Sequence, residues 1–381
     1  MTDEVHVSSS PLRRFRHAHE QDIERALRSR GPLTRQELQD VTGLSRTTLY
    51  SIVNALTADG VIVESRVQAS QRRGRPASVL SLDPAAAQVI GVELGRSHIG
   101  VTVANLRHEI VAGSDRSAPV GRNAGEIGAA AIDAIDEALR DAGLTSARLD
   151  AIVVGTPLSF GTGAQAADRV REDVGARMLA RYGVAPVFAN NARLVALAEM
   201  RFGAGADVDD LIYLHLDEGV GGGVVLDRRI VDGRHGRAGE LGHISVDVDG
   251  PPCWCGGIGC LERYLALPEL AAYIGSSASE MLAHPGLVEH IDGRLGVLSR
   301  VVAGLLTTLD VRRVVLGGTL GRANGIAPRV EELVRILSPD HVAVDVDVRP
   351  AVLGRRGSAQ GGVVLGLAAA GGDLVVPTIY S

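Results

Sequence analysis

From Gln88 onward the sequence alternates short apolar runs with longer helical stretches, and glycines punctuate the junctions. "VIGVEL", "GVTVAN" and "EIVAG" predict three successive strands joined by short turns, followed by a helix near residues 125–142. "LDAIVVGT", a helix near 167–182 and "PVFAN" leading into a helix at 191–202 continue the pattern. A second half repeats the style in "DLIYLHL", "GGGVVL" and "RRIV", with a late helix near 297–308, "VRRVVLGG", and a final helix in "GGVVLGLAAAGG". Two α/β lobes with a cleft between them fit this alternation better than one barrel.

Residues 1–87 read differently. "GPLTRQELQDVTGLSRTTLYSIVNALTADGVIVE" begins at Gly31, with Thr34 and Glu37 spaced as a capping box and Ser45 as a second N-cap just after Gly43. This predicts two short helices joined by a tight turn. In the second, Leu49, Ile52, Val53 and Leu56 share one face, which leaves Arg46, Thr47, Tyr50, Ser51 and Asn54 outside, where they can reach base edges. A strand at Val61–Glu64, a polar loop and a strand at Val79–Leu82 complete a winged helix-turn-helix, with an amphipathic helix at about Ile23–Arg30 packed behind it. In the loop, "QRRGRPAS" places Arg72, Arg73 and Arg75 around Gly74. A narrow basic tip of this kind suits insertion into an A·T-rich minor groove. The first 80 residues are net basic in a chain whose total charge is −6, and the expected partner is a double-stranded DNA operator.

The chain is long enough, at 381 residues and 45% hydrophobic, for two or three domains. No apolar run reaches membrane-spanning length, and the first ten residues carry Asp3 and Glu4 rather than a signal-peptide core, so no membrane partner and a cytoplasmic address are expected. Every basic residue is an arginine, which removes chemistry that needs a Schiff-base or Walker lysine.

All three cysteines fall in "CWCGGIGC", with His243 ten residues earlier. Cys253, Cys255 and Cys260 with His243 are the donor set of a closed tetrahedral Zn²⁺ site, and glycines at 256, 257 and 259 let the loop fold tightly. A redox pair usually has C-x-x-C spacing, and a disulfide would leave one thiol over; unpaired structural cysteines are the remaining alternative. Four protein ligands leave no open position, so the expected role of the zinc is structural.

"GELGH" followed by "CWCGGIGCLE" resembles the signature of the ROK family of sugar kinases and sugar-responsive repressors, and the resemblance covers nearly the whole chain. It implies an N-terminal winged helix-turn-helix joined to an actin-like, sugar-kinase-like domain. It also implies that Glu240, His243 and Glu262 hold the hydroxyls of a sugar or sugar-derivative effector, with His243 ligating the zinc as well. ROK kinases carry a D-x-G-G-T phosphate loop, which here reads "ELGRS", with Glu93 in the aspartate position and Arg96 and Ser97 replacing glycine and threonine. They also carry an Asn-Asp pair whose aspartate is the base; here it is Asn190-Asn191, and an amide binds hydroxyls without acting as a base. The "GTPLS" segment departs from the family's Pro-Gly at Leu158.

The expected protein is therefore a sugar-responsive DNA-binding regulator, a repressor without catalytic residues, in which Asn190, Asn191, Glu240, His243 and Glu262 bind the effector. An ATP-dependent sugar kinase with a regulatory DNA-binding head is the alternative, and a scaffold without a small ligand a third. The expected divisions are a tail at 1–17, the winged helix-turn-helix at 18–84, and a ROK domain at 85–381. Within that domain one lobe covers about 85–195 plus the C-terminal helix and the other 196–355. A homodimer or dimer of dimers is expected, since palindromic sites mirror two-fold protein symmetry.

Overall fold

In the computed structural model, residues 19–370 are described apart from 21, 28–29, 67–77, 85–87, 108, 118–122, 145–148 and 158–163. The expected tail at 1–17, the wing tip with Arg72, Arg73 and Arg75, and Leu158 lie outside the described residues.

The head is a three-stranded sheet, β1 (Leu33–Thr34), β2 (Ile62–Arg66) and β3 (Ser78–Leu82), in the order β1-β3-β2, packed on helices Arg35–Thr42 and Arg46–Ala58. The capping box forms as the sequence requires: the Thr34 hydroxyl accepts the Glu37 N–H while the Glu37 carboxylate accepts the Thr34 N–H. Gly43 closes the first helix in the left-handed region at φ 67°, where a side chain would be strained. Ile23, Leu27, Leu38, Leu49, Ile52, Val53, Leu56, Ile62, Leu80 and Leu82 form its core.

The remainder contains two sheets of identical topology. The first holds β4 (Gln88–Leu94), β5 (His98–Asn105), β6 (Ile110–Ser117), β7 (Leu149–Thr156) and β8 (Val187–Asn190) in the order β6-β5-β4-β7-β8. The second holds β9 (Leu211–Leu216), β10 (Val220–Leu226), β11 (Arg229–Ile230), β12 (Arg313–Gly317) and β13 (Asp347–Pro350) in the order β11-β10-β9-β12-β13. In each, three antiparallel strands are followed by two parallel ones. The doubled order is that of a two-lobed, actin-like fold.

Helix Asn191–Phe202 starts at the end of β8, and the Asn190 side chain caps it by accepting the Ala192 N–H at 2.8 Å. The C-terminal helix, Gly357–Ala370, packs on it and on β4 and β7. Glycine makes that packing close: a Cβ on Gly361 would fall 1.8 Å from the Leu194 carbonyl oxygen, and one on Gly91 of β4 would fall 1.8 Å from that of Ala359. The late helix is longer than its periodicity suggested, spanning Leu287–Leu309, and the helices at Leu267–Ile274 and Ile326–Leu337 add to the second lobe. Among the described residues, no helix is long and apolar enough to cross a membrane.

Candidate functional site

The recognition helix, Arg46–Ala58, places its residues as the sequence predicts. Leu49, Ile52, Val53 and Leu56 are buried, while Arg46, Thr47, Tyr50, Ser51 and Asn54 are all exposed. Its N-terminus is fixed by Ser45, whose hydroxyl accepts the Thr48 N–H at 3.2 Å. Arg35 and Arg46 lie over the Tyr50 ring, at 5.1 and 5.6 Å from its centroid, and Arg35 is paired with Glu64 of β2 at 2.7 Å. The helix thus presents an exposed cationic and polar face, with Arg35 of the preceding helix linking its Tyr50 ring to β2.

Two antiparallel bridges, Ser245 to Cys260 and Pro252 to Ile258, fold the cysteine loop back on itself. Gly259 sits at φ 62° with its Cβ position 1.8 Å from the Asp247 carbonyl oxygen, and a Cβ on Gly257 would lie 3.3 and 3.4 Å from the Cys260 and Cys255 sulfurs. Glycine is what lets the strand and the sulfurs close up. The ligand atoms of His243, Cys253, Cys255 and Cys260 all lie within 4.8 Å of one another. Cys255 Sγ is 3.6 Å from Cys260 Sγ, and Cys253 Sγ is 3.7 Å from His243 Nδ1. A tetrahedral metal with bonds of about 2.3 Å to sulfur requires edges of about 3.7 Å, so the donor set fits such an ion. Burial pushes the Cys253 thiol up and that of Cys260 up to about 12, while the Gly257 N–H holds Cys255 below the ordinary range. A bound cation would displace those protons and compensate three converging sulfurs.

Between the lobes lies a cleft of about 600 Å³. His243 and Glu262 line it from either side of the cysteine loop, and Asn190 and Asn191 from the end of β8, so four of the expected effector residues share one space. Both oxygens of Glu262 are anchored: Oε2 accepts the Val220 N–H at 3.0 Å and Oε1 accepts the indole N–H of Trp254. The Glu240 carboxylate lies half-buried near Arg193 and near Glu262 of the cleft wall. The reason is local: Gly239, at φ 87°, presses the chain onto β10 with its Cβ position 3.1 Å from the Gly222 carbonyl oxygen. Burial, followed by the neighbouring Glu262 charge, raises the Glu240 carboxyl above its usual range, offset by Arg193.

The turn that follows β4 is filled by a side chain. A Cβ on Gly95 would meet the His98 ring at 2.5 Å, and His98 Nε2 lies 3.3 Å from Glu93 Oε1 and 3.3 Å from the Arg355 carbonyl oxygen. The bond to Glu93 raises the His98 pKa above its ordinary value. Arg96 stands exposed at the cleft and reaches toward Glu218 of the other lobe, at 3.7 Å. Asn191 is committed at both ends of its amide: Nδ2 donates to the Leu94 carbonyl at 3.2 Å, and Oδ1 accepts the Ser358 hydroxyl at 2.8 Å. It ties β4 to the C-terminal helix. Sequence reasoning did not single out Trp254, His98 or His215 as cleft residues, although Trp254 is the only tryptophan in the chain.

A family model described as the ROK family matches residues 89–369. The chain belongs to the ROK family. A winged helix-turn-helix DNA-binding model matches residues 19–63 ahead of the ROK domain. A putative xylose repressor from Caldicellulosiruptor sp. (strain Rt8B.4) is 26% identical over 82% of this chain and 78% of its own length. An N-acetylmannosamine kinase from Citrobacter koseri is 34% identical over 40% of this chain, a match that spans 56% of the kinase. Among solved structures, a ROK family transcriptional regulator described as a homolog of the E. coli MLC protein superposes with a TM-score of 0.78 at 22% identity, covering 96% of this chain and 100% of that one. That likeness extends the shared fold across both head and ROK domain.

Proposed function

We propose that this ROK protein is a sugar-responsive transcriptional repressor that reads duplex DNA through its head and has no sugar kinase activity. Asn191 carries the reading. At the position where a kinase needs a base stands a neutral amide, which lacks the basicity to take a proton near neutral pH, while its second N–H and second oxygen lone pair can still meet an effector hydroxyl. The xylose repressor similarity supports a sugar effector and a DNA target, and the match to the kinase reaches less of this chain. Asn190, Asn191, Glu240, His243 and Glu262 bind the effector. Zn²⁺ on His243, Cys253, Cys255 and Cys260 is structural and staples the loop that carries His243, Trp254 and Glu262. The domains divide at about residue 84, and two chains form a homodimer, or four a dimer of dimers, on a palindromic operator.

A route from cleft to head supports the regulatory reading. The C-terminal helix begins at the cleft, where Ser358 holds Asn191, and its Val363 and Leu367 pack with Val89, Ala104 and Leu106 in the cluster that also receives Val61 of the head. Beside it, Arg107 donates to the Leu82 carbonyl of β3 through Nε at 3.0 Å and Nη2 at 2.8 Å. A sugar that binds one lobe arrangement better than the other shifts this helix and reorients the head. The test is selection of duplexes from a randomised pool by the full chain: enrichment of a two-fold symmetric sequence is expected, and no enrichment over the input pool would contradict a sequence-specific regulator.

A further inference from the structure

We infer that Trp254 is the residue that fixes the cleft's sugar preference, by positioning Glu262 and by offering its ring to the carbohydrate; the inference rests on the sugar-effector reading above. Trp254 stands between Cys253 and Cys255, in a turn closed by the Cys253 N–H donating to the Gly257 carbonyl at 2.8 Å and the Gly256 N–H donating to the Cys253 carbonyl at 3.0 Å. The ring lines the cleft, packs edge-on against the His243 imidazole at 4.9 Å and 84°, and leaves 60% of its surface exposed. An indole held rigid by its neighbours yet left open in a polar cleft has given up burial energy at a site where the surroundings would allow a polar residue.

Its N–H explains the other half of the assignment. An ionised carboxylate has about four acceptor positions. On Glu262 one position of each oxygen is taken, by the Val220 N–H and by the Trp254 indole N–H. The two that remain belong to different oxygens of a carboxylate that cannot rotate, which suits a pair of adjacent hydroxyls on one ring. Meanwhile the indole supplies the apolar, electron-rich surface on which the C–H groups of a pyranose pack. The ligand class is therefore a pyranose with free vicinal hydroxyls on one edge and an unsubstituted C–H face toward Trp254. Loss of the N–H frees the carboxylate to turn and costs hydroxyl recognition; loss of the ring costs affinity for all sugars.

The experiment uses the full-length, metal-loaded chain. A panel of pentoses, hexoses, their deoxy analogues and amino sugars is screened by thermal shift on wild type, and each binder is titrated calorimetrically on wild type, Trp254→Phe and Trp254→Leu. Metal content and unliganded melting temperature report the integrity of the loop. The expected result is full metal content in both variants, about tenfold weaker binding in Trp254→Phe with reduced preference for the sugar over its deoxy analogue, and a further loss in Trp254→Leu. The lone tryptophan also provides a direct signal, since wild-type fluorescence should change on titration with the calorimetric midpoint. A sugar that binds both variants as it binds wild type, with the same deoxy discrimination, overturns this inference and leaves the effector reading standing. A panel in which no sugar shifts wild type overturns both. If either variant loses metal, Trp254→Tyr and Trp254→His are titrated in its place; a polar ring that restores metal but not the deoxy discrimination supports the assignment, and one that restores wild-type discrimination contradicts it.

Discussion

Asn191 shows how one residue changes a cleft's chemistry while keeping its structure. In Asn191→Asp the Leu94 carbonyl loses its donor and a carboxylate replaces the amide, so we expect destabilisation of about 1–3 kcal/mol in urea unfolding. No ATP turnover should appear with any sugar that binds, because His98 still fills the turn at Gly95. His98 gives a second test. Its folded pKa is raised by Glu93 above the ordinary value of about 6.5, so the pair contributes stability that is fully present below that pH and lost as pH rises through the raised value. Thermal unfolding between pH 5.5 and 8.5 should show a loss toward alkaline pH that is smaller in His98→Gln. The residues most legible in the sequence were those with a chemical signature, the cysteines, His243 and the Asn190-Asn191 pair. The half-buried setting of Glu240 was not legible, because it depends on how Gly239 meets β10, a long-range approach that spacing does not encode. Trp254 was overlooked because an aromatic between two cysteines carries no pattern of its own.

Among the elements, the cysteine loop and the recognition helix were readable from local signals, since caps, glycines and the 3.6-residue period are written in adjacent residues. The helix Ile326–Leu337 and strand β13 were not, because their place is set by packing on β12 and helix Leu287–Leu309. Purified without chelator, the protein should carry one zinc per chain, and Cys255→Ser should lose it and lower the melting temperature; wild-type metal content in that variant would contradict the four-ligand site. On the recognition helix, Arg46→Ala and Asn54→Ala should each cost roughly 1–3 kcal/mol on the selected duplex and little on random DNA, as read by anisotropy titration. Loss on both duplexes alike would assign these side chains to backbone contact instead.

Among the described residues two lobes share one five-stranded order and carry a DNA-reading head, and the alternation of the sequence already implied the two lobes. Their identical strand order and the seating of the head on the first lobe were not legible, since both depend on contacts between segments far apart in the chain. Val61, Leu106 and Arg107 make that seat, and the C-terminal helix links it to the cleft. Arg107→Ala should therefore bind sugar as wild type does while its DNA affinity no longer responds to the sugar. The most direct measurement is the dissociation constant of the full chain for its selected duplex, with and without a saturating concentration of the sugar found by the screen. A coupling of about 1–3 kcal/mol, or roughly 5- to 150-fold in affinity, is predicted for wild type, and Glu262→Ala should abolish it. Equal affinity with and without bound sugar would contradict the account, because cleft and head would then be two binding sites without a connection.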